Sequence, residues 1–207
     1  MVIHKLTLGV FGVNNYLIHS ENSSNAILID ACEDWQSILN KISELKLELI
    51  YLINTHGHGD HIAGNAEIIK HTGAKLMIHP IDVSFLSNPN LNLSAFLGHA
   101  LESPEPDRLL NEGNIVEFDD IQLKILHTPG HTPGHISLVS GEVAFVGDVI
   151  FFESIGRTDF PQSSHNQLIE TIRTKIYTLP DSTILYNGHG PETTVQHEKQ
   201  YNPFVRG

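Results

Sequence analysis

The chain has 207 residues, 40% of them hydrophobic and 17% charged, and its formal charge is −12 at pH 7. Length and composition are those of one globular domain, which excludes intrinsic disorder and fibrous folds. The acidic balance argues against binding to nucleic acid or to an anionic membrane, because phosphate recognition needs a basic surface. The single cysteine, Cys32, excludes an internal disulfide and a zinc site built from thiolates. Fourteen histidines direct the search to metal sites built from imidazole.

No apolar run in the sequence approaches the ~20 residues that cross a bilayer. The N-terminus lacks the basic stretch, apolar core and small-residue cleavage site of a signal peptide. We therefore expect a cytoplasmic protein with no membrane partner. Nothing in the sequence indicates an oligomeric state.

The first half of the chain alternates short strands with helices. Apolar runs between Gly, Asn and Ser predict strands at residues 2–8, 16–19, 26–30, 49–53 and 75–78. Asp34 is expected to cap a helix, because the residues after it form an apolar stripe that begins at Ile38 and Leu39. Further helices are predicted at 62–71 and, in the less regular middle of the chain, at 82–87 and 93–101.

The second half repeats this organisation without an alignable sequence repeat. Strands are predicted at 115–118, 121–126, 136–139, 143–146 and 183–186, and helices at 166–177 and 192–199. Two groups of strands, each closed by helices, indicate two sheets packed together with helices outside. Because no linker interrupts the chain, we expect residues 1–207 to form a single domain.

A dense group of polar side chains, NTHGHGDH at residues 54–61, follows the apolar strand predicted at 49–53. In an extended segment the side chains of His56 and His58 point to the same side of the backbone, so both rings can bind one ion. Asp60 and His61 lie just beyond, where a helix is expected to begin, and point to a neighbouring position. The glycines between these residues allow the backbone to fold sharply. This density of imidazole and carboxylate predicts a metal site.

Three further segments place ligand-type side chains at or just after strand ends. They are HTPGHTPGH at 127–135, VGD at 146–148 and YNGHGP at 186–191. Each segment alone is typical of a turn. Together they offer imidazole and carboxylate without thiolate, a donor set that suits zinc, iron or manganese.

The order T-H-x-H-x-D-H, P-G-H-T, G-D, G-H resembles the metallo-β-lactamase superfamily, and the resemblance extends from Asn15 to Phe204. It implies an α/β fold, a four-layer αββα sandwich of two mixed β-sheets flanked by helices. The stretches GRTDFP at 156–161 and GHGPETT at 188–194 are similar to the short bacterial glyoxalase II group. Those hydroxyacylglutathione hydrolases lack the C-terminal helical domain of the longer enzymes, and we expect none here.

The resemblance also implies two metal sites. The first ion would be held by His56, His58 and His131, the second by Asp60, His61 and His189, and Asp148 would bridge them. In the family the metal-binding histidine after Pro-Gly is followed by Thr, which selects His131 over His135. His127 and His135 are then structural candidates. The remaining histidines fit no ligand spacing: His4, His19, His71, His79, His99, His165 and His197.

Two divalent ions, zinc first and iron or manganese as alternatives, would lower the pKa of a shared water toward about 7. The resulting metal-bridging hydroxide would attack a carbonyl carbon, with Asp60 and Asp148 as the catalytic carboxylates. A thioester suits this site, because a thiolate with a parent pKa of roughly 8.5 leaves without a strong general acid. The resemblance therefore implies hydrolysis of a small thioester, S-lactoylglutathione or a related hydroxyacyl thiol. Cys32 has no neighbouring base in sequence and is interpreted as structural.

Arg157 is the candidate substrate-binding residue, since the longer glyoxalases II carry a basic residue in the corresponding loop. The alternative for Arg157 is an ion pair with Asp159, buried at the edge of the fold. Arg206 is a looser candidate, and the absent helical domain weakens the case for glutathione as the thiol carrier.

The first alternative function is a persulfide dioxygenase of the same superfamily that uses one iron. Those enzymes share the GRTDF stretch, but they tend to carry Cys where this chain has His135. A lactamase is disfavoured because nothing marks a secreted chain, and a nuclease is disfavoured by the charge of −12. A non-catalytic metal-binding protein is the alternative outside enzymes, and the complete ligand set argues against it.

Overall fold

The computed structural model describes residues 1–97 and 100–207. It divides into two compact units. The first unit comprises residues 1–110 and 117–121, and the second comprises residues 111–116 and 122–207. Each unit is built around its own mixed sheet.

The first unit contains a six-stranded sheet in the order β1-β2-β3-β4-β5-β6. The strands are Val2–Leu8, Val13–His19, Asn25–Ile29, Glu48–Ile53, Lys75–Ile78 and Arg108–Leu109. The first three pair antiparallel and the others pair parallel. Parallel pairing of β3, β4 and β5 puts the carboxyl ends of these strands at one sheet edge, where the polar segment at 54–61 begins.

Helices cover one face of this sheet. They are α1 (Trp35–Glu44), α2 (Gly59–Ile62), α3 (Asn65–Thr72) and α4 (Val83–Leu86), with 3-10 turns at Pro80–Asp82 and Ser94–Leu97. Asp34 caps α1 as predicted, because its side chain accepts a hydrogen bond from the Ser37 amide. The buried core of this face joins Ile38 and Ile42 of α1 and Ile68 of α3 to leucines of the strands.

The second sheet also has six strands, in the order β14-β13-β10-β9-β8-β7. Strands β7 to β10 are Ile115–Phe118, Ile121–His127, Ile136–Ser140 and Val143–Gly147, and β13 and β14 are Ile184–Asn187 and Thr193–Thr194. A small hairpin pairs β11 (Ile150–Phe151) with β12 (Ser154–Ile155). In the second unit, Leu168, Ile172 and Ile176 pack against Val146 and Leu185 of the sheet.

The remaining helices differ from prediction in their local geometry. The helix predicted at 166–177 is α5 (His165–Thr171) continued by a π-helical turn at Ile172–Ile176, and the final helix is α6 (Val195–Tyr201). The helix predicted at 62–71 is two helices, because Gly64 lies against the backbone of Ala31 and Cys32 where a Cβ would meet the Cys32 carbonyl at 2.4 Å. Of the helix predicted at 93–101 only the turn at Ser94–Leu97 is seen, and residues 98–99 lie outside the described residues.

Two mixed β-sheets with helices packed on them confirm the predicted α/β fold class. The short strands β6, β11, β12 and β14 were not predicted, since two residues carry no periodicity. Among residues 1–97 and 100–207, no helix combines the length and the apolar character needed to cross a bilayer. The single domain over 1–207 stays a prediction.

Candidate metal centre

The ligand loop of the first unit, residues 54–61, is held close to its neighbours by its glycines. A Cβ on Gly57 would lie 2.3 Å from the Phe85 Cβ, and one on Gly59 would lie 2.9 Å from the Asn92 carbonyl oxygen. Neither glycine has a positive φ. The glycines are therefore required for close packing and not for the sharp backbone folding that the sequence suggested.

The ligand loop brings its four predicted ligands into one cluster. His56, His58 and His61 are buried. The ring of His56 lies 4.9 Å from that of His58 and 4.3 Å from that of His61, between centroids. The Nε2 atom of His61 is 3.7 Å from Asp60 Oδ2. As predicted, Asp60 and His61 stand in the first turn of a helix, α2.

A buried aspartate at the end of β3, Asp30, fixes the protonation of two of these rings. Its Oδ2 atom lies 2.9 Å from His61 Nδ1 and accepts a hydrogen bond from the Thr55 hydroxyl at 2.8 Å. A carboxylate accepts only, so His61 carries its proton on Nδ1. The Thr55 hydroxyl donates to Asp30, so its oxygen accepts in the contact of 3.0 Å with His56 Nδ1, which places a proton on His56 Nδ1 as well. In their neutral forms both rings would therefore offer the Nε2 lone pair to a metal.

The predicted ligands of the second unit come from three separate segments and meet at Asp148. Asp148 follows β10, and its Oδ2 atom lies 3.4 Å from His131 Nε2 and 3.6 Å from His189 Nε2. His131 and Asp148 are buried, whereas the His189 side chain is 27% exposed. One carboxylate thus faces both imidazoles.

Backbone atoms support these ligands. The carbonyl oxygen of Arg157 lies 2.8 Å from His131 Nδ1, which must therefore carry the proton and leave Nε2 as the ligand atom. The Asp148 amide donates to His135 Nε2 at 3.1 Å, and His135 Nδ1 lies 3.0 Å from the Thr128 hydroxyl. His135 holds the backbone of Asp148 with the nitrogen that a metal would need, which agrees with its interpretation as structural.

The residues described include groups of histidine and aspartate side chains that could hold a metal ion. Their members in the first unit are His56, His58, Asp60 and His61, and those in the second are His131, Asp148 and His189. His127 instead places Nε2 2.9 Å from the Pro133 carbonyl oxygen. His99 lies outside the described residues. The oxygen and nitrogen donor set, with Nδ1 protons that leave Nε2 as the ligand atom, fits a divalent transition metal.

The Arg157 side chain pairs with Asp159, as in the alternative considered for it, but the pair is exposed and not buried as that alternative expected. Its Nε and Nη2 atoms donate to the two carboxylate oxygens of Asp159 at 2.9 and 2.7 Å, and its Cζ lies 4.3 Å from the centre of the Phe160 ring. The hydrogen bond from Arg157 lowers the pKa of Asp159. Both side chains are about two-thirds exposed, so the pair is open to exchange with a ligand.

The single cysteine is buried, and burial raises the pKa of its thiol. Its amide donates to Asn15 Oδ1 at 2.8 Å. A protonated, enclosed thiol agrees with the structural interpretation of Cys32.

The supporting residues Asp30 and Thr55 and the Arg157 carbonyl oxygen were missed by the sequence analysis. Asp30 had a usable signal, because it follows an apolar strand just as Asp148 does. The Arg157 carbonyl had none, since every residue carries one.

The family model of the metallo-beta-lactamase superfamily matches residues 8–189. The chain belongs to this superfamily. It is 40% identical over 197 residues to the hydroxyacylglutathione hydrolase GloC of Haemophilus influenzae, covering 89% of each chain. The family model and this relative support a metal-dependent hydrolase, and the relative confirms the resemblance to the glyoxalase II group.

Solved structures of the superfamily share the fold. The BLEG-1 B3 metallo-beta-lactamase superposes with a TM-score of 0.95 and 31% identity, and each chain is covered in full. TTHA1623 in a di-iron-bound form gives a TM-score of 0.87 with 30% identity over 98% of this chain and 100% of the other. The metallo-β-lactamase fold predicted from the motifs is confirmed.

Proposed function

We propose that this member of the superfamily is a cytoplasmic hydrolase that cleaves a small thioester, S-lactoylglutathione or a related hydroxyacyl thiol. The observation that carries the proposal is the 40% identity to a hydroxyacylglutathione hydrolase over 89% of both chains. The ligand-type residues of both units, with imidazoles already in the ligand tautomer, support it.

The proposed centre takes two divalent ions. His56, His58 and His131 would hold the first, Asp60, His61 and His189 would hold the second, and Asp148 would be a ligand of both. Zinc is the proposed metal, with iron or manganese as alternatives, because imidazole and carboxylate accept all three. A related chain of 30% identity has a di-iron-bound form, which supports a centre of two ions and the iron alternative.

When bound, two such ions supply hydroxide at neutral pH and polarise a carbonyl. Asp60 would orient the nucleophile, and Asp148 lies between the Nε2 atoms of His131 and His189 and would keep both facing the ions. Asp30, Thr55 and the Arg157 carbonyl accept hydrogen bonds from Nδ1 of His61, His56 and His131, respectively. These rings are thereby kept from flipping and presenting Nδ1 to the metal in place of Nε2.

The leaving group also suits the residues of this chain. A thiolate, with a parent pKa of roughly 8.5, departs without a general acid. No protein thiol competes as a nucleophile, since the single cysteine is buried and its thiol has a raised pKa. Arg157 is the proposed contact for the carboxylates of the thiol carrier, reached by exchange of its exposed pair with Asp159.

The test is steady-state hydrolysis of S-lactoylglutathione by protein reconstituted with zinc, beside chelated protein and Asp148→Ala. We expect metal-dependent turnover that falls more than ~100-fold in Asp148→Ala, because even the groups behind a metal ligand are worth about 10–100-fold. Equal turnover by wild type and Asp148→Ala would remove Asp148 from the centre. No turnover of S-lactoylglutathione by fully loaded wild type would overturn this compound as the substrate, and no turnover of other hydroxyacyl thioesters would overturn the thioester proposal.

Two competing activities are measured in parallel. The likeness to the BLEG-1 B3 metallo-beta-lactamase favours a β-lactam as the second substrate to try. Iron-loaded protein with glutathione persulfide, followed with an oxygen electrode, tests the dioxygenase alternative. Oxygen uptake at a higher kcat/KM than thioester hydrolysis would replace the proposed reaction.

A further inference from the structure

Two histidines of the first unit that the ligand motifs do not include form a close pair on the β1–β2 ladder. His4 of β1 is paired with Leu17 of β2, so its diagonal neighbour on the same face is His19. The two Nε2 atoms are 3.1 Å apart, and the rings are 11° from parallel with centroids 5.2 Å apart. Both side chains are partly buried.

A backbone carbonyl sets the tautomer of this pair. His19 Nδ1 lies 2.7 Å from the carbonyl oxygen of Ser20, so His19 carries its proton on Nδ1 and offers a lone pair at Nε2. Histidine ligands of metals are commonly held in this way. In the structure that lone pair accepts from the Nε2 proton of His4.

The surroundings of His4 favour its neutral form, which is the form that binds metal. Burial, and after it the neighbouring His19 and Lys41, lower the pKa of His4, and only Glu44 acts in the opposite direction. Lys41 and Glu44 belong to α1, where their side chains form an ion pair at 3.1 Å.

The distance between the two nitrogens is that of two ligands of one ion. Zinc–nitrogen bonds of roughly 2.0–2.1 Å at a tetrahedral angle separate the two nitrogens by about 3.3 Å, against the 3.1 Å observed. Binding needs a rotation of the His4 ring that turns its lone pair to the ion and a shift of its proton from Nε2 to Nδ1 through solvent. Neither change requires movement of the ladder.

We infer that His4 and His19 together form a further divalent transition-metal site, separate from the ligand loop. Two imidazoles suit zinc, nickel or copper, and solvent completes the coordination. The ion would join β1 to β2, and so bind the folded state more tightly than the unfolded chain.

The probe is Zn²⁺ itself, titrated calorimetrically into zinc-loaded, dialysed protein. We expect one further equivalent in the wild type and a rise in its melting temperature with added zinc. His19→Ala and His4→Gln should raise the dissociation constant of this step more than ~100-fold, since even groups behind a ligand are worth about 10–100-fold.

His71→Ala is the matched control, because it removes another imidazole of the same unit that lies 3.6 Å from a carboxylate, that of Glu67. It should keep the extra equivalent. His4→Gln preserves a donor to His19 and guards against a variant that fails to fold. An extra equivalent that survives in His19→Ala and His4→Gln, or its absence from the wild type, overturns the site. The zinc content after dialysis and the hydrolysis rate should be unchanged in both variants, so this result is independent of the proposed reaction.

Discussion

The ligand-type residues of the two units differ in their spacing along the sequence and in the groups that accept hydrogen bonds from them. In the first unit four of them lie within residues 56–61, in one loop. In the second unit three of them come from segments up to 58 residues apart, His131 to His189. The loop depends on a buried side chain, Asp30, whereas His131 depends on a backbone carbonyl.

This difference predicts how each ligand set fails. A carboxylate that fixes two imidazoles can be removed by one substitution, and the loss should appear as weaker metal binding. A backbone carbonyl cannot be removed by substitution, so metal binding by the second unit should weaken only when a substitution moves the backbone. Four substitutions test this contrast.

Gly156→Ala is expected to have the largest effect. A Cβ at Gly156 would lie 1.9 Å from the carbonyl oxygen of Asp148 and 3.3 Å from His131 Nδ1, so the backbone that supports both ligands must shift. We expect a loss of about 3 kcal/mol in the free energy of unfolding, typical of severe overpacking. Denaturant unfolding and zinc content after dialysis measure the two consequences.

Gly113→Ala in the same unit is the control. A Cβ at Gly113 would meet no atom within 4 Å, so it causes no clash. The substitution is destabilising only because alanine disfavours the left-handed φ of +78°, by about 1–2 kcal/mol. Its zinc content should be unchanged. If Gly156→Ala behaved like this control, the close approach to Asp148 would not matter to the ligands.

Asp30→Asn should come next and act on metal affinity. Asp30 accepts from the Thr55 amide, the Thr55 hydroxyl and His61 Nδ1, and an amide in its place has one acceptor oxygen for these three donors. Asparagine tolerates the positive φ of 59° at this position. We expect zinc affinity to fall by about 10–100-fold, measured by competition with a chelating dye.

Asp34→Asn is the comparison for this variant. Asp34 also accepts from a backbone amide in the first unit, but it caps α1 and touches no ligand. Its replacement should change stability by at most about 1 kcal/mol and leave zinc affinity unchanged. Equal zinc affinity in Asp30→Asn and the wild type would show that the tautomers are set by the metal alone.

The sequence predicted the ligand loop from spacing alone, because its side chains and its strand are contiguous. The three segments of the second ligand set were also identified from the sequence, but the resemblance was needed to select His131, Asp148 and His189 as one set, since these residues are brought together by strand order. The hydrogen-bond partners of these ligands could not be predicted from the sequence. Asp30 is 25 residues from Thr55 and 31 from His61, so their contact depends on the parallel pairing of β3 and β4.

Element boundaries failed where tertiary contact overrides periodicity. The apolar pattern over 62–71 continues through Gly64, and only the approach of the Ala31–Cys32 backbone divides the segment into α2 and α3. The pattern over 166–177 likewise gives no sign of the π-helical turn, because its apolar residues still face the sheet.

Thr55→Val should have a smaller effect than Asp30→Asn. The substitution removes the hydroxyl between His56 Nδ1 and Asp30. It keeps the shape of the side chain and the hydrogen bond from the backbone amide of residue 55 to Asp30. One imidazole then loses its acceptor, and we expect a loss of about 1 kcal/mol, or about fivefold in zinc affinity. Thr55→Ser, which restores the hydroxyl, should recover the wild-type value. A serine variant as weak as valine would place the effect in packing instead.

Arg157→Ala should have the smallest effect on the metal and so sharpens the contrast between the two ligand sets. His131 is held by the Arg157 carbonyl, which alanine retains, and the contacts described for the guanidinium are with exposed Asp159 and the Phe160 ring. Zinc content should be unchanged and stability should shift by no more than about 0.5 kcal/mol. If the guanidinium binds the substrate, KM for S-lactoylglutathione should rise about tenfold at constant kcat, the loss expected for one charge-assisted contact. Asp159→Asn should shift KM in the opposite direction, because it releases Arg157 for the substrate. Unchanged KM in both variants would leave the carbonyl as the contribution of Arg157 to the centre.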